Sequence, residues 1–423
     1  MCLIPSIPDE AFVFLGAQNR AQLLEKVMNS RIYFDHSATT PLDPRVLEAM
    51  GPYLGGAFGN PSSLNHEGRV ASAAVDKARA QVAALIGAEP EEVTFTASGT
   101  EADNLALIGA VRANGKPGHL VTSAIEHAAI LETCKFLASD STRITHVAVD
   151  ADGIVRTESL LRTLQSNVTI VSIMAANNVV GTLQPIEELA HLTKLHDVLF
   201  HTDAVQAGGK IPLDVKQLNV DLLSLSAHKL HGPKGIGALY VRKDVKLSPI
   251  VFGGGQERGL RSATENVAGI VGFGMAAEIA RQELEEEASR LAQFREQIAT
   301  EILGVFPGAY LFGHATERLP GHLSFGFRGQ EREVGRLLSA LDQAGIAVSA
   351  GSACSAHHAG APSSVLLAMG YDEGAARGLI RVSLGRFNTQ AEVDLFLRAL
   401  RSVVLTLQRE SSRHEAAAEV VLA

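Results

Sequence analysis

The sequence predicts an α/β protein with a large domain, built on a mainly parallel seven-stranded sheet, and a smaller α+β domain. Seven short runs rich in β-branched residues alternate with helical patterns between residues 91 and 242. The runs are almost continuously apolar, as in strands that helices cover on both faces. Beyond residue 320, the runs GHLSFGF, IAVSAGS and LIRVSLGR alternate polar with apolar residues. This alternation predicts a smaller sheet with one face in water.

The candidate strands set the order of the elements and the domain boundary. They are EEVTFT, HLVTSA, ITHVAV, VTIVSIMA, VLFHTD, VDLLSLS and IGALYVR. A long charged helix follows them around residues 283–303, and its acidic run indicates a solvated face. We place the domain boundary in this helix. The predicted division is an N-terminal extension (residues 1–30), a large domain (45–285), a small domain (31–44 and 286–405) and a C-terminal tail (406–423).

Composition limits the classes of protein that fit this chain. Of its 423 residues, 46% are hydrophobic and 20% are charged, which is typical of a globular protein. The net charge of −9 and the lack of a basic tract argue against nucleic acid or a membrane surface as a partner. The three cysteines form no even set and no C-x-x-C pair, which favours a reducing compartment over disulfides or a zinc site. We recognise no signal peptide and no membrane-spanning run, so the expected location is cytoplasmic.

Polar residues collect where the predicted strands end, and ligands of open α/β sheets bind beyond the carboxyl ends of the strands. The first strand runs into residues 98–101 (SGTE), which have the spacing of a capping box and start a helix. The free N–H groups and the dipole of such a helix favour a phosphate. Later strands end at Asn178, at Asp203 with Gln206 close behind, and at Lys229.

Together these residues match the needs of pyridoxal phosphate. A lysine forms a Schiff base with this cofactor, a carboxylate keeps its pyridine nitrogen protonated, and a helix N-terminus holds its phosphate. Lys229 and Asp203 are the candidates for the first two roles. Lys234 competes with Lys229, which lies closer to the strand end. We set a nucleotide-binding Rossmann site aside, because GGGQER (residues 253–258) is not G-x-G-x-x-G opening a helix.

Motifs spread over residues 31–405 carry a resemblance to a known family. They are YFDHSATTPLDP, FGNPSS, SGTEADN, IEHAAI, HTDAVQ, SAHKLHGPKG, GGGQERGLRSATEN and GSAC…IRVSLGRF. With them the chain resembles the cysteine desulfurases of the nitrogen-fixation and iron–sulfur-cluster type, within the class V aminotransferase group. The resemblance implies the aspartate-aminotransferase fold (fold type I), a homodimer and the cofactor pyridoxal 5′-phosphate. It also implies that L-cysteine becomes L-alanine while its sulfur passes, as a persulfide, towards an acceptor or iron–sulfur scaffold protein.

The resemblance assigns roles to single residues through their motifs. Lys229 would be the Schiff-base lysine, Cys354 the sulfur-accepting nucleophile, and His127 the residue that stacks on the ring and transfers protons. Asp203 would pair with the pyridine nitrogen, and Arg381 would hold the substrate carboxylate. The remaining assignments are Gly99, Thr100, Ser226, His228 and, from the other subunit, Thr264 at the phosphate, Asn178 and Gln206 at the hydroxyl side of the ring, and Asn60 near the substrate. No metal ligand is assigned.

The run SAGSACSAHHAG (residues 349–360) surrounds the predicted nucleophile Cys354. Its thiolate has to reach the cofactor, collect sulfur and swing outward. Glycine and small polar residues suit this because they keep the conformational cost of the loop low. His357 and His358 would favour the thiolate or be solvated. Cys134, in the apolar ILETCKFLA, is predicted to be a buried small hydrophobe.

Departures from the family pattern leave parts of the prediction open. Val179 stands where the family usually has Glu after the paired asparagines, so the role of an acidic group there is in question. Ala227 replaces a common glycine. The sequence CSAHHAGAP resembles in part the corresponding loop of selenocysteine lyases. Selenocysteine lyase activity therefore stays an alternative, as does another lyase or aminotransferase reaction that depends on pyridoxal phosphate.

Overall fold

The computed structural model describes residues 31–422 apart from residues 116–117 and 352–360, and over residues 411–422 it describes the backbone alone. The predicted N-terminal extension (residues 1–30) lies outside the described residues. Within the described ranges, no helix is both long and apolar enough to cross a membrane.

A seven-stranded sheet forms the centre of the larger part of the molecule, with the strand order β2-β8-β7-β6-β5-β3-β4 once the strands are numbered along the chain. Neighbours from β7 to β4 pair in parallel, whereas β8 is antiparallel to both β2 and β7. The predicted mainly parallel sheet of seven strands is therefore confirmed. The strands are β1 (Ile32–Tyr33), β2 (Val93–Thr96), β3 (His119–Ser123), β4 (Arg143–Val147), β5 (Ile170–Ser172), β6 (Leu199–Asp203), β7 (Leu222–Ser226), β8 (Gly237–Val241), β9 (Ala309–Phe312), β10 (His322–Phe327), β11 (Ile346–Ala347) and β12 (Ile380–Ser383).

Consecutive side chains of the sheet enter two different cores, because side chains alternate between the faces of a strand. On β7, Leu222 packs with the apolar side of the helix that follows β2, whereas Leu223 packs in the largest core cluster. Helices thus cover both faces, as the apolar runs predict. The helices are α1 (Pro44–Met50), α2 (His66–Leu85), α3 (Gly99–Ala113), α4 (Ala128–Ser139), α5 (Thr157–Leu164), α6 (Ile186–Lys194), α7 (Val215–Leu218), α8 (Val267–Val305), α9 (Val334–Gln343), α10 (Ser364–Ala368), α11 (Glu373–Arg377) and α12 (Gln390–Leu422).

The charged helix α8 connects two cores and is longer than the sequence analysis predicts. Its N-cap is Asn266, whose side chain accepts a hydrogen bond from the backbone N–H of Gly269 at 3.1 Å. Phe273, near its start, belongs to the core around the large sheet, whereas Ile298 belongs to a separate core. The first half was missed because VAGIVGFGMAAEIA is apolar on most sides and shows no amphipathic period. The domain boundary inside this helix stays a prediction.

The smaller sheet is three-stranded and antiparallel, in the order β12-β10-β9. The prediction that one of its faces is in water was wrong for β10 and β12, which are buried along their whole lengths. One face of β10, with Phe325, packs in the second core. The other face, with His322 and Ser324, makes hydrogen bonds to the larger part of the molecule. The run IAVSAGS contributes only β11, which pairs with β1 in a separate parallel pair.

Candidate active site

One cavity of about 250 Å³ lies where β2, β5, β6 and β7 end. These strands share a direction, because β8 is antiparallel to both of its neighbours. Their carboxyl ends therefore meet at one edge. The predicted residues that line the cavity are Gly99, Thr100, His127, Asn178, Asp203, Gln206, Ser226, His228, Lys229 and Arg381.

Two predicted site residues lie elsewhere in this chain. Asn60 is exposed, and its side-chain oxygen accepts a hydrogen bond from the backbone N–H of Ser62 at 2.9 Å. Thr264 is also exposed and does not line the cavity. The roles of both residues stay predictions, that of Thr264 as a contribution to another subunit.

Lys229 ends a short 3₁₀ turn (Ala227–Lys229) that directly follows β7. Its amine lines the cavity and donates hydrogen bonds to the backbone carbonyls of Ser37, at 2.5 Å, and Ala38, at 2.7 Å. Lys234, the competing candidate, is exposed and is not among the lining residues. The geometry therefore favours Lys229 as the lysine that a cofactor could reach.

The N-terminus of α3 forms another side of the cavity. The Ser98 hydroxyl accepts a hydrogen bond from the backbone N–H of Glu101 at 3.1 Å, which makes Ser98 the N-cap, as predicted. The reciprocal bond differs from a capping box, because the Glu101 carboxylate accepts from the N–H of Ala97, at 2.9 Å, rather than that of Ser98. The helix start is thus fixed by side chains, and its positive end faces the cavity.

A glycine is needed at the start of α3. A Cβ atom on Gly99 would lie 2.7 Å from Cγ2 of Val205 and 3.2 Å from Cβ of Ser226, both of which line the cavity. The missing side chain leaves space at a helix N-terminus, where backbone N–H groups point outward. Anions bind at such positions.

Asp203 ends β6 and presents a buried carboxylate to the cavity. Its Oδ1 accepts a hydrogen bond from the backbone N–H of Val205 at 2.9 Å. Burial raises the pKa of this carboxyl, whereas the nearby His127 and Lys229 lower it. A carboxylate in such a place gains stability from a cationic partner. The three groups match the three functional parts of pyridoxal phosphate. The Lys229 amine can react with its aldehyde, the buried Asp203 carboxylate can pair with its pyridinium, and the helix N-terminus at Gly99, where no Cβ atom is present, can bind its phosphate.

The sequence analysis did not single out two further buried carboxyls near Asp203, those of Asp103 and Glu126. Asp103 lines the cavity, and burial together with the charge of Asp203 raises its pKa well above the usual range. Glu126 accepts hydrogen bonds from the Ser123 hydroxyl, at 2.5 Å, and from the backbone N–H of Met174. Burial raises the pKa of Glu126 to about 8. Both residues stand inside motifs quoted above, SGTEADN and IEHAAI, but nothing in their spacing marks them as buried.

His127 is the N-cap of α4 as well as a lining residue of the cavity. Its Nδ1 accepts a hydrogen bond from the backbone N–H of Ala129 at 3.1 Å. Because Nδ1 is the acceptor, the neutral ring carries its proton on Nε2. The cap thus selects the tautomer of the residue that the resemblance places next to the cofactor ring.

Arg381, in β12, is buried and lines the cavity from the side of the smaller sheet. Its guanidinium donates from Nη1 to the backbone carbonyl of Asn178 at 2.7 Å and from Nη2 to the carboxylate of Asp35 at 2.6 Å. The sequence analysis quoted Asp35 within a motif but assigned it no role. A planar guanidinium held from two sides is suited to bind a carboxylate.

Comparison with known proteins shows the family to which the chain belongs. The model of the family described as aminotransferase class-V matches residues 32–396. The chain belongs to the class V aminotransferase family. It is 44% identical over 382 residues to a cysteine desulfurase, IscS, of Dictyoglomus turgidum, which covers 90% of this chain and 96% of that protein.

Solved structures have the same fold as this chain. A NifS-like protein superimposes with a TM-score of 0.83 at 40% identity, over 89% of this chain and all of the other. A structure described as SspA in complex with cysteine superimposes with a TM-score of 0.75 at 36% identity, over 85% of this chain and all of the other. The predicted family, fold type, cofactor and enzyme class, a cysteine desulfurase dependent on pyridoxal phosphate, are thereby confirmed.

Val179, where the resemblance implies a Glu, is a buried apolar residue. The backbone carbonyl of Val179 accepts hydrogen bonds from Nε2 of His322, at 3.0 Å, and from the hydroxyl of Ser324, at 2.6 Å. A Cβ atom built on Gly351 would lie 3.7 Å from Cγ1 of Val179. Val179 therefore packs against the residue that immediately precedes residues 352–360.

The predicted nucleophile of this class V enzyme, Cys354, lies outside the described residues, as do His357 and His358. Their roles stay predictions. Cys134 is buried in α4, as predicted, and burial raises the pKa of its thiol. Within the described part of the chain, no group of three or more His, Cys, Asp or Glu residues is placed to hold a metal ion.

Proposed function

We propose that this protein converts L-cysteine to L-alanine with pyridoxal phosphate and transfers the sulfur to Cys354 as a persulfide, for iron–sulfur cluster assembly or other sulfur transfer. The observation that carries the proposal is the convergence of Lys229, Asp203 and the N-terminus of α3 on one cavity. Relatives named cysteine desulfurases, and the solved structure described as a complex with cysteine, support the choice of substrate.

The lining residues divide the binding of the cofactor among them. Lys229 would hold it covalently through its amine, and Asp203 would pair with its ring nitrogen. The backbone N–H groups at the start of α3, with Ser226 and His228, would hold its phosphate. Burial, followed by the charge of Lys229, lowers the pKa of His228 to about 4, and a phosphate beside this ring would oppose the shift. Bound there, pyridoxal phosphate supplies an electron sink for the substrate carbon that loses its proton.

Substrate orientation is assigned to Arg381 and proton transfer to Lys229 and His127. The Arg381 guanidinium would bind the carboxylate of L-cysteine in the dry interior, where a charge-assisted hydrogen bond is strong. The amine of Lys229, once released from the cofactor, has lone-pair electrons with which to take the α-proton. His127, with its proton on Nε2, can donate where Lys229 accepts.

The sulfur transfer is assigned to the Cys354 thiolate. The thiolate attacks the sulfur of the substrate, so that a sulfur–sulfur bond forms on Cys354 while the carbon–sulfur bond of the substrate breaks. The electron pair of the broken bond stays with the carbon, which takes up a proton, and the α-carbon regains a proton from Lys229, so that the product leaves as L-alanine. The persulfide then carries the sulfur to an acceptor protein.

The proposal includes a homodimer in the cytoplasm. Several large apolar side chains are exposed in this chain: Leu54, Phe58 and Leu64 in the segment before α2, and Phe252 in the segment between β8 and α8, which also contains Thr264. Exposed apolar side chains of this size favour burial against a second copy. The second copy would bring Thr264 to the phosphate. The uneven set of three cysteines supports the reducing compartment.

The test measures the visible absorption of the cofactor in purified variants. It also measures the products that each variant forms from L-cysteine and then from selenocysteine. We expect Lys229→Ala to lose both the visible absorption and the activity. Cys354→Ala should keep the coloured cofactor but release no sulfur from cysteine, whereas Cys2→Ala, the matched thiol control, should match the native protein. Release of alanine and sulfide by Cys354→Ala at the native rate would contradict the assignment. Formation of pyruvate and ammonia by the native protein would instead indicate a lyase.

A further inference from the structure

A second, smaller cavity is also lined by Lys229. It holds about 30 Å³ and shares Ser37 and Lys229 with the cofactor cavity. Its other charged and titratable lining residues are His36, Lys210, His231, Glu287, His322 and Arg386. The proposed function gives no role to this cavity or to Lys210.

Lys210 reaches Lys229 through two hydrogen-bonded groups. Its ammonium donates to Oε1 of Gln206 at 3.2 Å. Nε2 of Gln206 donates to the backbone carbonyl of Ser37 at 2.9 Å, and the same carbonyl accepts from the amine of Lys229 at 2.5 Å. Because an ammonium can only donate, Lys210 in its protonated form fixes which end of the Gln206 amide faces it. The amide nitrogen is thereby kept on the side of Ser37 and of the cofactor cavity.

The charges around Lys210 are predominantly positive. Glu287, the acidic residue lining this cavity, is engaged with Nε of Arg386 at 2.9 Å. Burial, followed by the charge of Lys229, lowers the pKa of Lys210 to about 7, against a smaller opposing effect of Glu287. The other groups that face Lys210 are Arg381 and the rings of His36, His228, His231 and His322, whose pKa values burial lowers.

We propose that Lys210 is a positioning residue for Lys229. Through Gln206 and the Ser37 carbonyl it orients the Lys229 amine, and the two nitrogens compete for one positive charge, since a charge on either one lowers the pKa of the other. The inference rests on the proposed role of Lys229 as the lysine that holds the cofactor. As a result, the pKa of the cofactor-linked Lys229 nitrogen should be lower with Lys210 present than it would be without Lys210.

The test titrates the visible absorption of the cofactor in the holoenzyme between pH 6 and pH 10. We expect Lys210→Met to raise the pKa of the cofactor-linked nitrogen by about one unit, because a neighbouring like charge is removed. Lys210→Arg keeps a permanent charge, so the native titration should be retained or moved to lower pH. Lys216→Met serves as the control: Lys216 is an exposed lysine paired with Glu89, and its removal should leave the titration unchanged.

An unchanged titration in Lys210→Met that carries its cofactor would overturn the inference. If that variant does not fold, Lys210→Gln decides the question in the same way, because it keeps hydrogen-bonding groups without the charge. A wild-type protein that shows no cofactor absorption would instead refute the proposed function. The two failures are therefore distinguishable in one experiment.

Discussion

Nη2 of Arg381 lies 2.6 Å from Oδ1 of Asp35, in an ion pair whose arginine is buried and whose aspartate is mostly so. The guanidinium is held on a second side by the backbone carbonyl of Asn178. Among the described residues, its Nε has no hydrogen-bond partner. Asp35 thus fixes the plane of the group that we assign to the substrate carboxylate and also neutralises part of its charge.

This geometry predicts what a lysine in place of Arg381 would do. A lysine keeps the charge but cannot hold Asp35, Asn178 and a substrate carboxylate with one planar group. In Arg381→Lys we expect the KM for L-cysteine to rise about tenfold or more, since a charge-assisted hydrogen bond contributes about 1.5–3 kcal/mol. The visible absorption of the cofactor should be unchanged. Steady-state kinetics check this, and an unchanged KM would show that the substrate carboxylate binds elsewhere.

The second prediction separates the two functions of His127. Asparagine is a good N-cap, so His127→Asn should keep the start of α4 while it removes the proton-transferring ring. We expect kcat to fall by about 10²- to 10⁴-fold without a change in the free energy of unfolding. His127→Leu should lose a comparable activity and, in addition, about 1 kcal/mol of stability. Denaturation curves and kcat together distinguish them, and full activity of either variant would remove His127 from the mechanism.

Parts of this site could be predicted because they follow from strand order alone. Asp203 and Lys229 each end a strand, and the ends of parallel strands meet at one edge of a sheet. Asp35 could not be found in this way. It is 346 residues from Arg381 in the chain, and their contact depends on the β-bridge that Asp35 makes to Ser383 of β12. The role of Lys210 could not be predicted from the sequence for a similar reason, because only the folded structure shows that its amine lies next to the Gln206 side chain.

The fold, like the site, has parts that the sequence could predict and parts that it could not. Apolar runs predicted the seven strands of the large sheet, because burial on both faces leaves a strong pattern. The alternating run GHLSFGF also predicted a strand, β10, but it suggested a wet face. In the structure the polar residues His322 and Ser324 are buried, with hydrogen bonds to the carbonyl of Val179. An alternating sequence shows which side chains of a strand are polar. It does not show whether those side chains face water or a buried hydrogen-bond partner.

The third prediction concerns the phosphate end of the cavity. In Gly99→Ala the new methyl group would lie 2.7 Å from Cγ2 of Val205, so either the start of α3 or the Val205 side chain has to shift. We expect the affinity for pyridoxal phosphate to fall about tenfold or more, since hydrogen bonds to a charged group contribute about 1.5–3 kcal/mol. Fluorescence titration of the apoenzyme measures this. Gly304→Ala is the matched control, because a Cβ atom there meets no atom within 4 Å. Equal affinities in the two variants would contradict the phosphate assignment.

The fourth prediction is a pH dependence of stability that comes from Glu126. Burial raises the pKa of this carboxyl from 4.5 to about 8 in the folded protein. Between these values the folded state binds more protons than the unfolded state. The stabilisation is therefore fully present below pH 4.5 and is lost as the pH rises towards 8, with a slope of at most about 1.4 kcal/mol per pH unit.

Replacement of Glu126 by glutamine isolates this contribution, because an amide does not titrate. We expect the free energy of unfolding of Glu126→Gln, measured with urea at pH 5, 6, 7 and 8, to decline less steeply than that of the native protein. Asp103 and Asp203 titrate in both proteins, but the charge of Glu126 raises the pKa of Asp103, so the difference reports Glu126 together with its effect on these neighbours. Ser123→Ala should extend the decline to higher pH, because it removes a hydrogen bond that favours the carboxylate. A difference between the native and glutamine proteins that does not vary with pH would mean that Glu126 is ionised in the fold.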